Sequence, residues 1–249
     1  MRVLKKGSEN IHLAAFAIIV TLHYSKCNKE LVTLCKAIIL ICAVYCALMD
    51  SLVIAHLSKD KKLAKVMAAT ALSLLQPKKR LYLELVTAIM GQQLSTKVAM
   101  VLQQRFYALF PKKVPTPQDV LDLDFEVLKG IGLSNAKTIY IRNVCSFFIE
   151  QKLTDKKIYA LDDDAIIALL TRIKGVGKWT VQMLLMFSLC RDDIFSEDDF
   201  GIQKSISTIY KIDMADKKAM KVAMGTISAK WAPYRSYACR YLWRSLDNQ

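Results

Sequence analysis

Five acids, Asp192, Asp193, Glu197, Asp198 and Asp199, stand close together directly ahead of an amphipathic stretch that opens at Phe200. They sit in a chain with 36 Lys plus Arg against 22 Asp plus Glu, a net charge of +14. That balance favours a polyanionic partner, either nucleic acid or an anionic membrane surface. Acids gathered in such a chain need a reason. A fixed carboxylate stabilises positive charge that develops in a transition state and orients or deprotonates a water. Cleavage of an N-glycosidic bond needs this, because the sugar becomes oxocarbenium-like. The plainer alternative is a solvated acidic loop that caps the helix from Phe200.

Just upstream, Leu169 to Leu189 reads as two amphipathic helices joined by Gly175-Val176-Gly177, a helix-hairpin-helix. Gly175 can take the left-handed conformation that ends the first helix, and Gly177 removes a side chain where backbone must approach a ligand. The next helix then presents free N–H groups. With the positive end of the helix dipole and Lys174 and Lys178 alongside, they suit one DNA phosphate, held without reading sequence. Taken alone, the turn is equally an ordinary helix cap. A second such turn, Gly130-Ile131-Gly132, lies earlier in the chain.

The elements that must position these residues read as helices throughout. Leu57, Leu63, Val66 and Met67 form one apolar stripe, and Val98, Val101, Leu102, Phe106 and Leu109 another. Breaks and caps fall at Pro77, Gly91 with Ser95, Pro111, Thr116 before Pro117, Gly130 with Ser134, Gly175 and Pro233. No strand-like alternation of useful length interrupts them. The expectation is an all-α domain of roughly nine or ten helices, without repeat or linker over residues 50–249.

Composition changes near residue 49. Residues 1–48 carry two apolar runs, Leu13 to Leu22 and Ala37 to Met49. The first is too short to span a bilayer, and the second is long enough only if taken from Leu31. Three readings stay open for this extension: an over-extended reading frame with Met49 as the true start, a membrane or export segment, or a buried helical addition. The domain boundaries are therefore 1–48 and 49–249. Of seven cysteines, Cys27, Cys35, Cys42 and Cys46 lie in the first segment, and Cys145, Cys190 and Cys239 are widely separated. All three histidines, His12, His23 and His56, also lie near the N-terminus. No side-chain metal site and no disulfide framework is expected in the main domain, and a reducing compartment is.

Four segments in order carry a resemblance: Ile89-Met90-Gly91-Gln92-Gln93-Leu94-Ser95, Ile173 to Thr180, Asp198-Asp199-Phe200-Gly201, and Trp231-Ala232-Pro233-Tyr234-Arg235-Ser236-Tyr237-Ala238. Over about residues 50–249 the chain resembles the helix-hairpin-helix (HhH-GPD) DNA glycosylases, and within them the 3-methyladenine DNA glycosylase II type. The resemblance implies two helical subdomains with the active site in the cleft between them. It implies excision of alkylated purines, of the 3-methyladenine and 7-methylguanine class, from duplex DNA. The second aspartate of the pair, Asp199, takes the catalytic role, and Asp198 that of a cap or structural acid. Trp179, Phe200, Trp243 and Met183 stand at base-pocket positions. Lys174, Gly175, Val176, Gly177, Lys178 and Thr180 form the DNA-binding hairpin. Gln92, Gln93 and Leu94 form a wedge loop that fills the gap left by an extruded base.

Bifunctional relatives such as endonuclease III carry a nucleophilic lysine where this chain has Trp179, so base excision without strand-cleaving lyase activity is implied. The four clustered cysteines of that branch's iron–sulfur loop are missing near the C-terminus, where only Cys239 stands. Lys97, Lys137, Lys204, Arg235 and Arg240 are further candidates for backbone contacts. No cofactor is expected beyond a monovalent cation at the hairpin, as in relatives. The expected partner is damaged double-stranded DNA, bound by a monomer in the nucleoid, cytoplasm or nucleus. The alternatives are the same scaffold acting on deaminated or mismatched bases, and a catalytically silent DNA-binding module.

Overall fold

A computed structural model describes residues 50–111 and 114–247. The nature of residues 1–48 lies outside the described residues. The chain divides after Ala69 into two compact units, and the candidate site lies in the unit that begins at Thr70. In the first unit, residues 50–57 are helical and lead into α1 (Lys61–Ala68), whose N-terminus is capped by the Asp60 side chain. Leu57 and Leu63 are buried as the stripe predicts, while Val66 and Met67 are half-buried.

The second unit contains α2 (Leu81–Gly91), α3 (Thr96–Ala108), α4 (Pro117–Leu121), α5 (Phe125–Gly130), α6 (Asn135–Glu150), α7 (Asp155–Tyr159), α8 (Asp163–Leu170), α9 (Lys178–Phe187), α10 (Phe200–Tyr210), α11 (Lys217–Ala229) and α12 (Arg235–Asp247). Among the described residues there is no strand. The helices outnumber the nine or ten expected because α4, α5 and α7 are one-turn elements of five or six residues, too short to show a periodic stripe.

Their packing forms two groups. Helix α6 receives α2, α4 and α5, with α3 against α2, while α10 receives α11 and α12. Helix α9 packs on α2 and on α8, and its Phe187 ring meets that of Trp243 on α12. Trp231, Phe106, Leu85, Ile89 and Met90 are among the fully buried side chains.

Local caps set most helix starts. Ser95 accepts from Val98 N, Ser134 from Lys137 N, and Thr116 with Asp119 makes a reciprocal capping box ahead of Pro117. Helix α2 has no such neighbour, because Arg80 precedes it in the left-handed region and offers no side-chain cap. Asp155, at the start of α7, reaches across to accept from Arg80 N at 2.6 Å and Leu81 N at 2.9 Å.

The stripe on α3 is only partly buried. Leu102 and Phe106 are inside, but Val98 and Val101 are exposed. Helix α3 packs on α2, and the positions it buries, Leu102 and Phe106, lie a turn apart on one face.

Candidate active site

Asp199 is the N-cap of α10, and only 8% of it is exposed. Its Oδ1 accepts from Ile202 N at 2.8 Å and from the indole Nε1 of Trp243 at 2.9 Å. Its Oδ2 accepts from the indole Nε1 of Trp179 at 2.7 Å. A carboxylate oxygen offers about two acceptor sites. Oδ1 is therefore filled, and Oδ2 keeps one site for another group. The α10 dipole favours negative charge at this position. The candidate carboxylate is itself the helix cap, while Asp198, expected as a cap or structural acid, does not cap α10 and is exposed. Gly201 permits the closeness, since a Cβ there would stand 3.0 Å from Trp243 Cδ1 and 3.1 Å from Asp199 Oδ1.

The two indoles hold the carboxylate by their edges and leave their faces for other contacts. Trp179 is 42% exposed. Met183 lies one turn further along α9 and is half-buried, and Phe187 follows at the same spacing, its ring 5.6 Å from that of Trp243. Phe187 was not singled out from sequence, although its position four residues after Met183 and eight after Trp179 places it on the same face. Phe200, also expected at the pocket, is 69% exposed. It is the first residue of α10, where the chain turns outward from the cap. A cleft of about 140 Å3 shares Trp243 and Phe187 with this cluster and is completed by Leu72, Leu75, Arg240 and Arg244. That is well below the roughly 300 Å3 at which pockets hold drug-sized ligands.

The two Gly-x-Gly turns differ in what they leave available. At the first, Gly132 has φ +111 and Ser134 caps the next helix with its hydroxyl. At the second, Gly175 has φ +102, and a Cβ on it would lie 2.1 Å from Tyr140 Cγ. Gly177 is the N-cap of α9 and brings no capping side chain, so the first amides of α9 are not claimed by one. A Cβ on Gly177 would meet nothing within 4 Å. Val176 is buried and anchors the turn, while Lys174 is exposed and its carbonyl accepts from Asn143 Nδ2 at 3.1 Å. Lys178 reaches Glu197 Oε1 at 3.3 Å, an exposed ion pair beside the turn.

The loop after α2 is held from two sides. Lys137, on α6, donates to Met90 O at 2.9 Å and Gln92 O at 2.8 Å, and burial lowers the pKa of its ammonium. Gln92 donates to the buried Thr180 hydroxyl at 3.4 Å, linking the loop to α9. Gln93 takes φ +57, and Gln93 and Leu94 are exposed at the tip. Lys137 thus supports the loop, where sequence offered it as a backbone contact.

Of the other basic candidates, Lys97 and Lys204 are exposed. Arg240 donates to Ser73 O. Arg235 grips Asp193 with Nε at 2.7 Å and Nη2 at 3.0 Å. That pair belongs to a clamp in which Ser236 Oγ accepts from Ile194 N at 2.9 Å and Tyr237 donates to Asp192 Oδ1 at 3.1 Å. Most of the acidic run is therefore structural: Asp192 and Asp193 fasten the loop to α12, and Glu197 faces Lys178. Cys239 is buried behind the loop, its thiol pushed up to about 12 by burial first of all. Among the described residues, no group of three or more His, Cys, Asp or Glu side chains could hold a metal ion, and no helix is long and apolar enough to cross a membrane.

Comparison with known proteins places this geometry. Residues 86–228 match the model of the HhH-GPD superfamily base excision DNA repair proteins. DNA-3-methyladenine glycosylase 1 of Schizosaccharomyces pombe is 32% identical over 187 residues, covering 74% of this chain and 81% of that protein. The crystal structure of the DNA-3-methyladenine glycosidase of Bacillus halodurans superposes with a TM-score of 0.66 at 30% identity, covering 76% of this chain and 86% of that one. The S. pombe 3-methyladenine DNA glycosylase in complex with abasic DNA gives 0.65 at 31%, over 78% and 96%. With its hairpin, its buried carboxylate and more than half its length within these matches, the chain belongs to the HhH-GPD superfamily of base excision DNA repair proteins.

Proposed function

We propose that this protein is a monofunctional DNA glycosylase that releases alkylated purines, of the 3-methyladenine and 7-methylguanine class, from duplex DNA. The observation that carries the reading is the Asp199 carboxylate, buried between two indole N–H groups and a helix N-terminus with one acceptor site of Oδ2 left over. The relatives named as 3-methyladenine glycosylases supply the substrate class.

In this reading the uncapped amides of α9 take one phosphate of the damaged strand, and Leu94 enters the stack as the base leaves it. Alkylation at a ring nitrogen makes the purine cationic, and the exposed face of Trp179 attracts it. The C1′–N bond breaks with its electron pair passing to the base, which departs neutral. Asp199 stabilises the oxocarbenium-like sugar through Oδ2, and water adds at C1′, losing its proton to the carboxylate or to solvent. Trp179 has no amine to attack the sugar, so no Schiff base forms and the abasic strand stays intact. A monovalent cation at the Gly175-Val176-Gly177 turn belongs to the same reading and would offset part of the charge of the DNA phosphate. DNA is the partner in every version, and the site of action is wherever the genome lies.

One observation favours a second specificity. Arg240 and Arg244 stand at the cleft beside Trp243. Guanidinium donors suit the carbonyl of a neutral deaminated purine better than a cationic base. Base release from duplexes carrying methylated or deaminated purines, by wild type and Asp199→Asn, tests both. Release of methylated purine by wild type alone, with intact abasic strands, supports the main reading. Release of only the deaminated base moves the assignment to the second, and unchanged release by Asp199→Asn removes Asp199 from the mechanism.

A further inference from the structure

Between the clamp on α12 and the start of α10, residues 194–199 have no regular secondary structure. The position of Asp199 therefore depends on what fastens that stretch. Its upstream end is fixed at Asp193 and Ile194 by Arg235 and Ser236. Its middle is held by Gln203 Nε2, which donates to Glu197 O at 2.9 Å, and by a buried side chain that the chemistry above does not use. Gln182 is 4% exposed on α9, three residues beyond Trp179. Its Nε2 donates to Phe195 O at 3.0 Å, and its Oε1 accepts from Ser196 Oγ at 3.0 Å. Ser196 is fully buried, and its carbonyl accepts from Asp199 N at 3.3 Å.

We infer that Gln182 is a positioning residue for base excision: through Phe195 and Ser196 it sets where the Asp199 carboxylate stands relative to the phosphate bound at the start of α9. This rests on Asp199 being the catalytic carboxylate. The reason is geometric. Helix α9 carries the uncapped amides at its N-terminus, the Trp179 indole on Asp199 Oδ2, and Gln182 on the loop that bears Asp199. One rigid element thus spaces phosphate from carboxylate, and a strand gripped at α9 presents its sugar at a fixed distance from Oδ2. Without Gln182 the carboxylate is tied to α9 through the Trp179 indole alone, so its spacing loosens. A buried amide making two bonds to a single loop, where an apolar side chain would pack at no desolvation cost, fits that task.

The test uses the full chain with Gln182→Met, which keeps length and apolar volume but makes neither bond, and Ser196→Ala, which deletes one hydroxyl. Single-turnover base release, affinity for a duplex holding a stable abasic analogue, and the 1H–15N indole resonances are measured for each. The expected result is a fall in the release rate on the order of ten- to a hundredfold, typical of a misplaced reacting group. DNA affinity should stay within about twofold, the Trp179 indole resonance should shift, and the double variant should be no slower than Gln182→Met alone. An unmoved resonance with an unchanged rate overturns the inference, as does a loss confined to DNA affinity. If Gln182→Met does not fold, Ser196→Ala decides by the same criteria. The indole resonance, assigned with Asp199→Asn, reads the positioning even if the wild type releases no methylated base, so failure of the substrate assignment and failure of this inference are told apart.

Discussion

The indole N–H of Trp179 donates to Asp199 Oδ2 at 2.7 Å, from the position that the family resemblance assigns to the amine of lyase-active members. One residue thereby removes a nucleophile and supports a carboxylate. Trp179→Phe keeps the ring face and loses only the donor, so it should slow base release by roughly tenfold, the worth of one hydrogen bond to a charged group. Trp179→Ala should slow it further by also removing the stacking face. Comparison of the two rates on one methylated duplex separates these contributions.

Asp199→Asn leaves one oxygen for Ile202 N and the Trp243 indole and turns an amide N–H toward the Trp179 N–H, donor against donor. Base release should fall by roughly a hundredfold or more, because the charge that stabilises the sugar cation is gone. Binding to abasic-analogue DNA, measured by fluorescence anisotropy, should persist.

Gly175→Ala places a Cβ onto the Tyr140 ring at a φ of +102. It should cost about 2 to 3 kcal/mol, seen as a lower melting temperature. Gly177→Ala meets open space and should leave the melting temperature nearly unchanged, but it crowds a phosphate approaching α9. Thermal melts and DNA titrations on the pair should give opposite orders of severity.

Lys137→Met removes the ammonium that holds Met90 O and Gln92 O, while its aliphatic length still fills the space. The wedge loop should loosen. A duplex with 2-aminopurine beside the lesion should show less unstacking on binding, and base release at subsaturating enzyme should drop several-fold. An unaltered fluorescence change would mean that the loop keeps its shape without Lys137.

Glu197→Gln frees Lys178 from an exposed pair at 3.3 Å beside the hairpin. Affinity for undamaged duplex should rise, and the slope of log K against log salt should steepen by about 0.9 for one added phosphate contact. Titrations at several salt concentrations check this, and an unchanged slope would show that Lys178 already reaches the DNA.

What could be read from the chain alone was whatever acts within a few residues. Ser95, Thr116 and Ser134 cap helices through bonds to the third residue on, and the glycine turns declare themselves by type and spacing. Asp199 stood out as a candidate because it lies in an ordered set of motifs. Its place as the cap was not legible, because either member of an Asp-Asp pair could start α10. The supports were hidden for a different reason. Lys137 with Gln92, and Gln182 with Ser196, join residues 45 and 14 positions apart, and such pairings follow from how α6 and α9 pack rather than from local pattern. Val98 and Val101 misled in the same way: apolar periodicity shows a face, not what covers it.

The bond from Leu81 N to Asp155 spans 74 residues, and that distance is also an interval of time. Chains grow at about 5–20 residues per second, so α2 leaves the ribosome roughly 4 to 15 s before its cap can arrive. Over that interval Leu81, Leu85, Val86 and Ile89, all buried in the finished protein, are open to chaperones.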